Sequence, residues 1–269
     1  MNMVQINFGD WELVVDLEGG RINSLKNRMV LILGSFERID GKRGNTHVCI
    51  PNFANDGVKK YGLPFHGYFR NVPWVLVQKT ENLIEINCET MGFDVHQIFS
   101  LNGEYFSQKI IIENKNEEEK PVNVAIHNYW SSELGWQGLT LNDFDLGSGI
   151  KQNDFINLRQ LNELNIPGKP LIKWQFNGFN YAKLWTGFLE ESGNKIFDNN
   201  YFCIEPIMEK DENFFGSEES MLLPKTKLEL RQMIGVEDRP QFEPLLINTL
   251  SHFNKLMEVS QPDNKEEDK

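Results

Sequence analysis

The sequence predicts an all-β domain, a large antiparallel sandwich or barrel, and three observations carry that reading. Short apolar or alternating runs of about four to eight residues, bounded by Gly, Asn, Asp and Lys turns, recur through the first 236 residues. Most consecutive runs are joined without an intervening helix, which argues for antiparallel pairing. Nineteen Phe, six Trp and six Tyr supply flat rings that pack well across a pleated surface. At 269 residues and 40% hydrophobic content the chain can bury one continuous core, at a length ordinary for a large sandwich or barrel.

Residues 4–8, 12–15, 22–25 and 29–33 read as a meander of small strands separated by Gly-Asp, Glu-Gly-Gly and Lys-Asn-Arg turns. Gly19 and Gly20, just before Arg21, suit a turn of positive φ or a close backbone approach. Residues 45–74 are different in kind, with prolines at 51, 64 and 73 and glycines at 57, 62 and 67. Little regular structure is expected there beyond a strand over 46–50. An irregular loop of this length, rich in His, Asn, Arg and aromatic residues, is more often functional than idle. Strands over 83–89, 94–100, 105–112 and 122–127 follow. Residues 139–146 have strand character, while 156–164 have the composition of a loop or a short helical piece. Strands over 171–176, 182–186 and 202–207 come next, and 228–236 closes the β region. Beyond it Leu246, Leu250, Phe253 and Met257 share one face at helical spacing, which predicts a helix over 243–259. The organisation read is a β domain over 1–236 and a C-terminal helical extension with a charged tail over 237–269, packed on or trailing that domain.

A formal net charge of −12 repels phosphate backbones and anionic lipid, so neither nucleic acid nor a membrane surface is an expected partner. The N-terminus lacks a basic segment followed by an apolar stretch, and no run of eighteen apolar residues occurs. Cys49, Cys88 and Cys203 are isolated in apolar or alternating runs and read as buried small hydrophobes of a reducing compartment. The cytoplasm is the expected location. CxxC, HExxH, GxSxG, a phosphate loop and a dinucleotide fingerprint are all missing from the sequence, so neither a metal nor a cofactor is expected.

Three residues draw attention as carriers of chemistry. Glu205 stands in YFCIEPIM among apolar neighbours, where desolvation would raise its pKa towards a range useful for a general base; an outward position on an edge strand is the structural alternative. His66, in LPFHGYFR, has Gly67 giving room beside it and Arg70 following. His127 ends the run VNVAIHNYW, and a purely structural histidine fits that context as well as a functional one. His47 and His252 read as ordinary polar residues, and His96 faces either solvent or a cleft. Tyr68, Phe69, Trp74, Tyr129, Trp130 and Trp136 lie around the two histidines in sequence and offer faces for the C–H side of a pyranose, or else a core.

Taken together, GGRINSL at 19–25, IPNFAN at 50–55, LPFHGYFRNVPW at 63–74, IHNYW at 126–130, FCIEP at 202–206 and MLLPKTKLELRQMIGV at 221–236 resemble the aldose 1-epimerase (galactose mutarotase-like) superfamily, and within it the hexose-6-phosphate mutarotase branch. The resemblance covers residues 4–236 and implies a large antiparallel β-sandwich that interconverts the α and β anomers of a hexose or hexose 6-phosphate without a cofactor. It casts Glu205 as the base at the anomeric hydroxyl, His127 as the acid at the ring oxygen and His66 as a charge-stabilising partner. Arg70, Arg21, Lys59 and Trp130 become expected substrate contacts. The sequence departs from the family where a Gly-Arg pair is common, carrying Ala54-Asn55 instead. Asn55 is therefore the expected replacement contact, and also the reason to hold open a carbohydrate-binding protein of the same fold without catalysis. The expected ligand is a monosaccharide or sugar phosphate, and the protein a monomer or homodimer.

Overall fold

A computed structural model describes residues 2–53, 55–147, 153–210 and 217–237, with the side chains of Asn55, Asp56 and Glu219 outside that description. The expected helix over 243–259, and with it the C-terminal extension, lies outside the described residues.

Two antiparallel sheets carry the architecture, and every strand pairing among the described residues is antiparallel. The first sheet runs Met3–Phe8, Trp11–Asp16, Arg21–Asn27, Val30–Glu37, Tyr129–Ser131, Tyr201–Ile207, Ala125–His127, His47–Cys49. Tyr181–Trp185 joins it along Tyr201–Ile207 and carries Phe155–Asn157 outside it. In the second sheet the order is Phe144–Asp145, Thr140–Leu141, Leu161–Asn165, Leu171–Asn177, Lys227–Glu237, Tyr105–Asn114, Phe93–Leu101, Leu83–Thr90, Val75–Lys79.

Alternation decides which residues meet between the sheets. Trp11, Leu13 and Val15 turn inward from one strand of the first sheet; Phe93, Val95, Phe99 and Leu101 do so from one strand of the second. They join one apolar cluster with Ile110, Trp130, Trp174 and Ile234, so the two sheets are the halves of a β-sandwich. Tyr201–Ile207 is buried on both faces, because the first sheet's inner face packs on the core and its outer face is the floor of a cleft.

Three segments depart from the sequence reading. Residues 156–164, expected as a loop or helical piece, contribute the strands Phe155–Asn157 and Leu161–Asn165. The inward position at their centre is Asn162, whose amide donates to the Arg159 carbonyl at 2.6 Å, so the apolar alternation that marks a strand is broken by a satisfied polar residue. The loop over 51–62 holds a short helix, Asn55–Tyr61. Val75–Lys79, exposed at every position on the edge of the second sheet, gave no alternating signal.

Candidate active site

Registration across four strands of the first sheet builds the site. His47 pairs with His127, and Glu205 pairs with Lys183. Ala125 opposite Ile207 and Tyr129 opposite Cys203 set His127 opposite Glu205 on the same count. The outcome is a row of four ionisable side chains, His47, His127, Glu205 and Lys183, on one face of adjacent strands. The neighbouring row, Asn45, Tyr129, Cys203 and Trp185, supplies the aromatic wall.

Stacking locks the His127 ring. It lies between His47, at 5.0 Å between centroids, and Tyr129, at 4.8 Å, while His66 and Trp185 meet it edge-on. Its Nε2 is thereby held 3.5 Å from Glu205 Oε1. His66 arrives from the 45–74 loop in a left-handed conformation (φ 65°), followed by Gly67 at φ 71°. At Gly67 an added Cβ would stand 1.9 Å from the Ile50 carbonyl oxygen, so only glycine lets the loop close against the sheet there. His66 Nδ1 sits 3.4 Å from Cys49 Sγ.

Burial dominates the electrostatics. Glu205 is pushed up to about 8 by desolvation, opposed by the positive charge of Lys183. His127 is held well below the ordinary histidine range, first by burial and then by the positive potential of its neighbours His47, His66, Arg70 and Arg38. Burial, then the charges of His47, Arg70 and Lys183, take His66 down to about 2, and burial takes His47 down to about 3. At neutral pH the Glu205–His127 pair therefore holds one proton, resident on the carboxyl group. Nδ1 of His127, Nε2 of His47 and Nε of Arg70 and of Arg38 are buried without hydrogen-bond partners among the described residues.

The cleft above this row encloses about 480 Å³, within the range of small-ligand sites. Arg21, Arg38, Lys42, Arg43, Arg70 and Lys183 line it, against Glu205 as the one carboxyl group among its described lining residues. A protein of net charge −12 thus turns a strongly basic pocket to its ligand. Arg21 Nη2 donates to the Arg70 carbonyl at 2.5 Å, and the Arg38 guanidinium lies 4.8 Å above the Trp185 ring. Donor atoms of His127, Cys203 and Glu205 fall within 4.8 Å of one another, a possible metal triad by distance. Burial keeps the Cys203 thiol protonated, and the six basic groups oppose a divalent cation, so the chemistry of the donors does not fit a metal.

The structure gathers His66, His127, Glu205, Arg70 and Arg21 into this cleft. Two other expected contacts lie elsewhere. Trp130 is in the sandwich core, its Nε1 donating to the Ile204 carbonyl at 3.4 Å and its ring packed on Trp174, because it follows Tyr129 and so faces the opposite side of the sheet. Lys59 is exposed on the short helix and does not line the cleft. The Asn55 side chain is outside the described residues. Sequence reasoning missed His47 and Lys183. His47 was readable as the alternation partner of Asn45 and Cys49, and Lys183 as the one charge inside the run YAKLW.

No family model matches the chain, and no curated protein does. Solved structures match its fold. A provisionally assigned aldose 1-epimerase of Escherichia coli K12 superposes with a TM-score of 0.72 at 14% identity, over 88% of this chain and 99% of that one. A galactose mutarotase related enzyme of Lactobacillus acidophilus gives 0.67 at 15% identity, over 88% and 97%. A galactose mutarotase-like protein of Clostridium acetobutylicum gives 0.67 at 14%, over 88% and 95%. At these identities the likeness establishes the fold, the mutarotase-like β-sandwich.

Proposed function

We propose that this mutarotase-like sandwich interconverts the α and β anomers of a hexose, and of a hexose 6-phosphate in preference to the free sugar. The observation that carries the reading is the Glu205–His127 pair, 3.5 Å apart and buried at the floor of a basic cleft. Mutarotation needs a base at the C1 hydroxyl and an acid at the ring oxygen. Those two oxygens share carbon C1, so the groups serving them must stand close together, as these do. The base takes the hydroxyl proton, the O–H electrons form the C1 carbonyl and the C1–O5 bond breaks. The acid then delivers its proton to O5, and rotation followed by reclosure from the other face gives the other anomer.

One shared proton suffices for this cycle. A phosphate held by Arg70 and Arg38 offsets the positive potential that disfavours an imidazolium at His127. Those arginines act on His127 more than on Glu205, so binding favours the form with the proton on the ring, against the burial that is the larger cause of both shifts. Glu205 is then the carboxylate base and His127 the imidazolium acid. His66 and His47 stay neutral beside them.

The test is magnetisation-transfer NMR of anomer exchange in glucose, galactose and glucose 6-phosphate, with the wild-type protein and with Glu205→Gln. Acceleration that is largest for the phosphorylated sugar and is lost in the variant supports the reading. Sugar binding without acceleration would instead leave a carbohydrate-binding protein.

A further inference from the structure

Behind the catalytic face, the sandwich core contains a continuous line of buried amides. Gln97 Nε2 donates to the Gly20 carbonyl at 3.0 Å, and Gln108 Nε2 to Gln97 Oε1 at 2.7 Å. Gln232 Nε2 donates to Gln108 Oε1 at 2.7 Å, and Asn128 Nδ2 to Gln232 Oε1 at 2.9 Å. All four side chains are buried. Their orientations are fixed from both ends. A backbone carbonyl only accepts, so Gln97 must present its NH2 to Gly20. Trp174 Nε1 only donates, and at 3.1 Å from Gln232 Oε1 it requires an acceptor there. Each link is therefore set by the next, and at the last one Gln232 Nε2 also donates to Asn128 Oδ1 at 3.3 Å, so Asn128 is held by a reciprocal pair of bonds.

The line ends at a break in the sheet. Between Ala125–His127 and Tyr129–Ser131 the Asn128 N–H turns back to the Ile126 carbonyl at 3.0 Å, a three-residue turn centred on His127. The pairings that fix the register against Glu205's strand, Ala125 with Ile207 and Tyr129 with Cys203, flank this turn. On the core side the turn is anchored by the Asn128 side chain. At the far end Gly20 precedes Arg21, which holds the Arg70 carbonyl.

We propose that the amide line Gln97–Gln108–Gln232–Asn128 is a positioning device, which sets the His127 ring against Glu205 from behind the sheet. These residues touch no substrate and act through the backbone at His127. The kinetic part of the claim rests on the mutarotase reading; its geometric part does not.

The deciding variant is Gln232→Met, near in volume and unable to accept from Asn128 or Trp174. Three quantities are measured on the full chain: kcat and KM for anomer exchange of glucose 6-phosphate, the thermal midpoint, and the imidazole 15N signals of His127. The ring signals of His96, bonded to Glu85 on the other sheet, serve as the internal reference. The expected result is a kcat lower by roughly 10- to 100-fold, with KM changed by less than about twofold, because orientation and not binding is lost. His127 signals shift and broaden while those of His96 stay. A lowered midpoint with unchanged kcat and unchanged His127 signals overturns the proposal and leaves the line as a tie between sheets. Should the wild-type protein accelerate no exchange, the mutarotase reading falls, and the His127 signals alone decide the positioning claim. If Gln232→Met does not fold, Asn128→Ser, which releases the same anchor and leaves Gln232 bonded to Gln108 and Trp174, carries the same expectation.

Discussion

Glu205 gains a neighbour it can protonate at the cost of being buried, and the two effects separate experimentally. Its folded pKa of about 8 lies above the model-compound value of 4.5. Below pH 4.5 the carboxyl is protonated folded or unfolded and costs nothing; between pH 4.5 and 8 the unfolded chain ionises while the folded carboxyl does not, and the fold is penalised by an amount that levels off above pH 8 at roughly 5 kcal/mol. Glu205→Gln should therefore raise the unfolding free energy, hardly at pH 4 and most at pH 9, while lowering anomer exchange by at least about 100-fold. Denaturant titrations at the two pH values, beside the exchange assay, check both halves; a variant less stable than wild type at pH 9 would contradict the burial argument. The pH profile follows from the same proton. With one proton required by the pair, kcat/KM should fall as pH rises past about 8, and the lowered His127 keeps a second proton off well into the acid range.

Among the elements, the loop that delivers His66 is the most exacting. Gly67→Ala places a Cβ on the Ile50 carbonyl and forces a left-handed φ on alanine, which should cost roughly 2 kcal/mol or more and move His66 out of contact with His127. Calorimetry of the variant, with Gly62→Ala as the comparison because nothing lies within 4 Å of an added Cβ there, measures the packing part of that cost. Such closures also explain what the sequence displayed and what it hid. Strands with uninterrupted alternation, such as Trp11–Asp16 and Phe93–Leu101, were legible because one face is apolar throughout. Leu161–Asn165 was not, since Asn162 at its inward position reads as a loop residue until the Arg159 carbonyl is seen beside it. Glu205 and His127 stood out as polar groups in apolar runs. His47 and Lys183 have the same character, but their relevance comes from the register of strands distant in sequence, which a local pattern does not encode.

For the molecule as a whole, a basic cleft in an acidic surface makes ligand capture a matter of ionic strength. Arg70→Ala should raise KM for glucose 6-phosphate by about tenfold or more and leave that for glucose nearly unchanged, and added salt should raise the first KM in wild type far more than the second. Steady-state exchange rates at two salt concentrations measure both; equal effects on the two sugars would show that Arg70 meets no phosphate. The row that makes the site also imposes an order in time. Glu205 follows His127 by seventy-eight positions along the chain. At ribosomal rates of about 5–20 residues per second the strand Tyr201–Ile207 is finished roughly 4–16 s after its partners Ala125–His127 and Tyr129–Ser131. For those seconds the nascent first sheet has an open edge where its most buried strand belongs, and that interval is when it is most exposed to pairing with another chain.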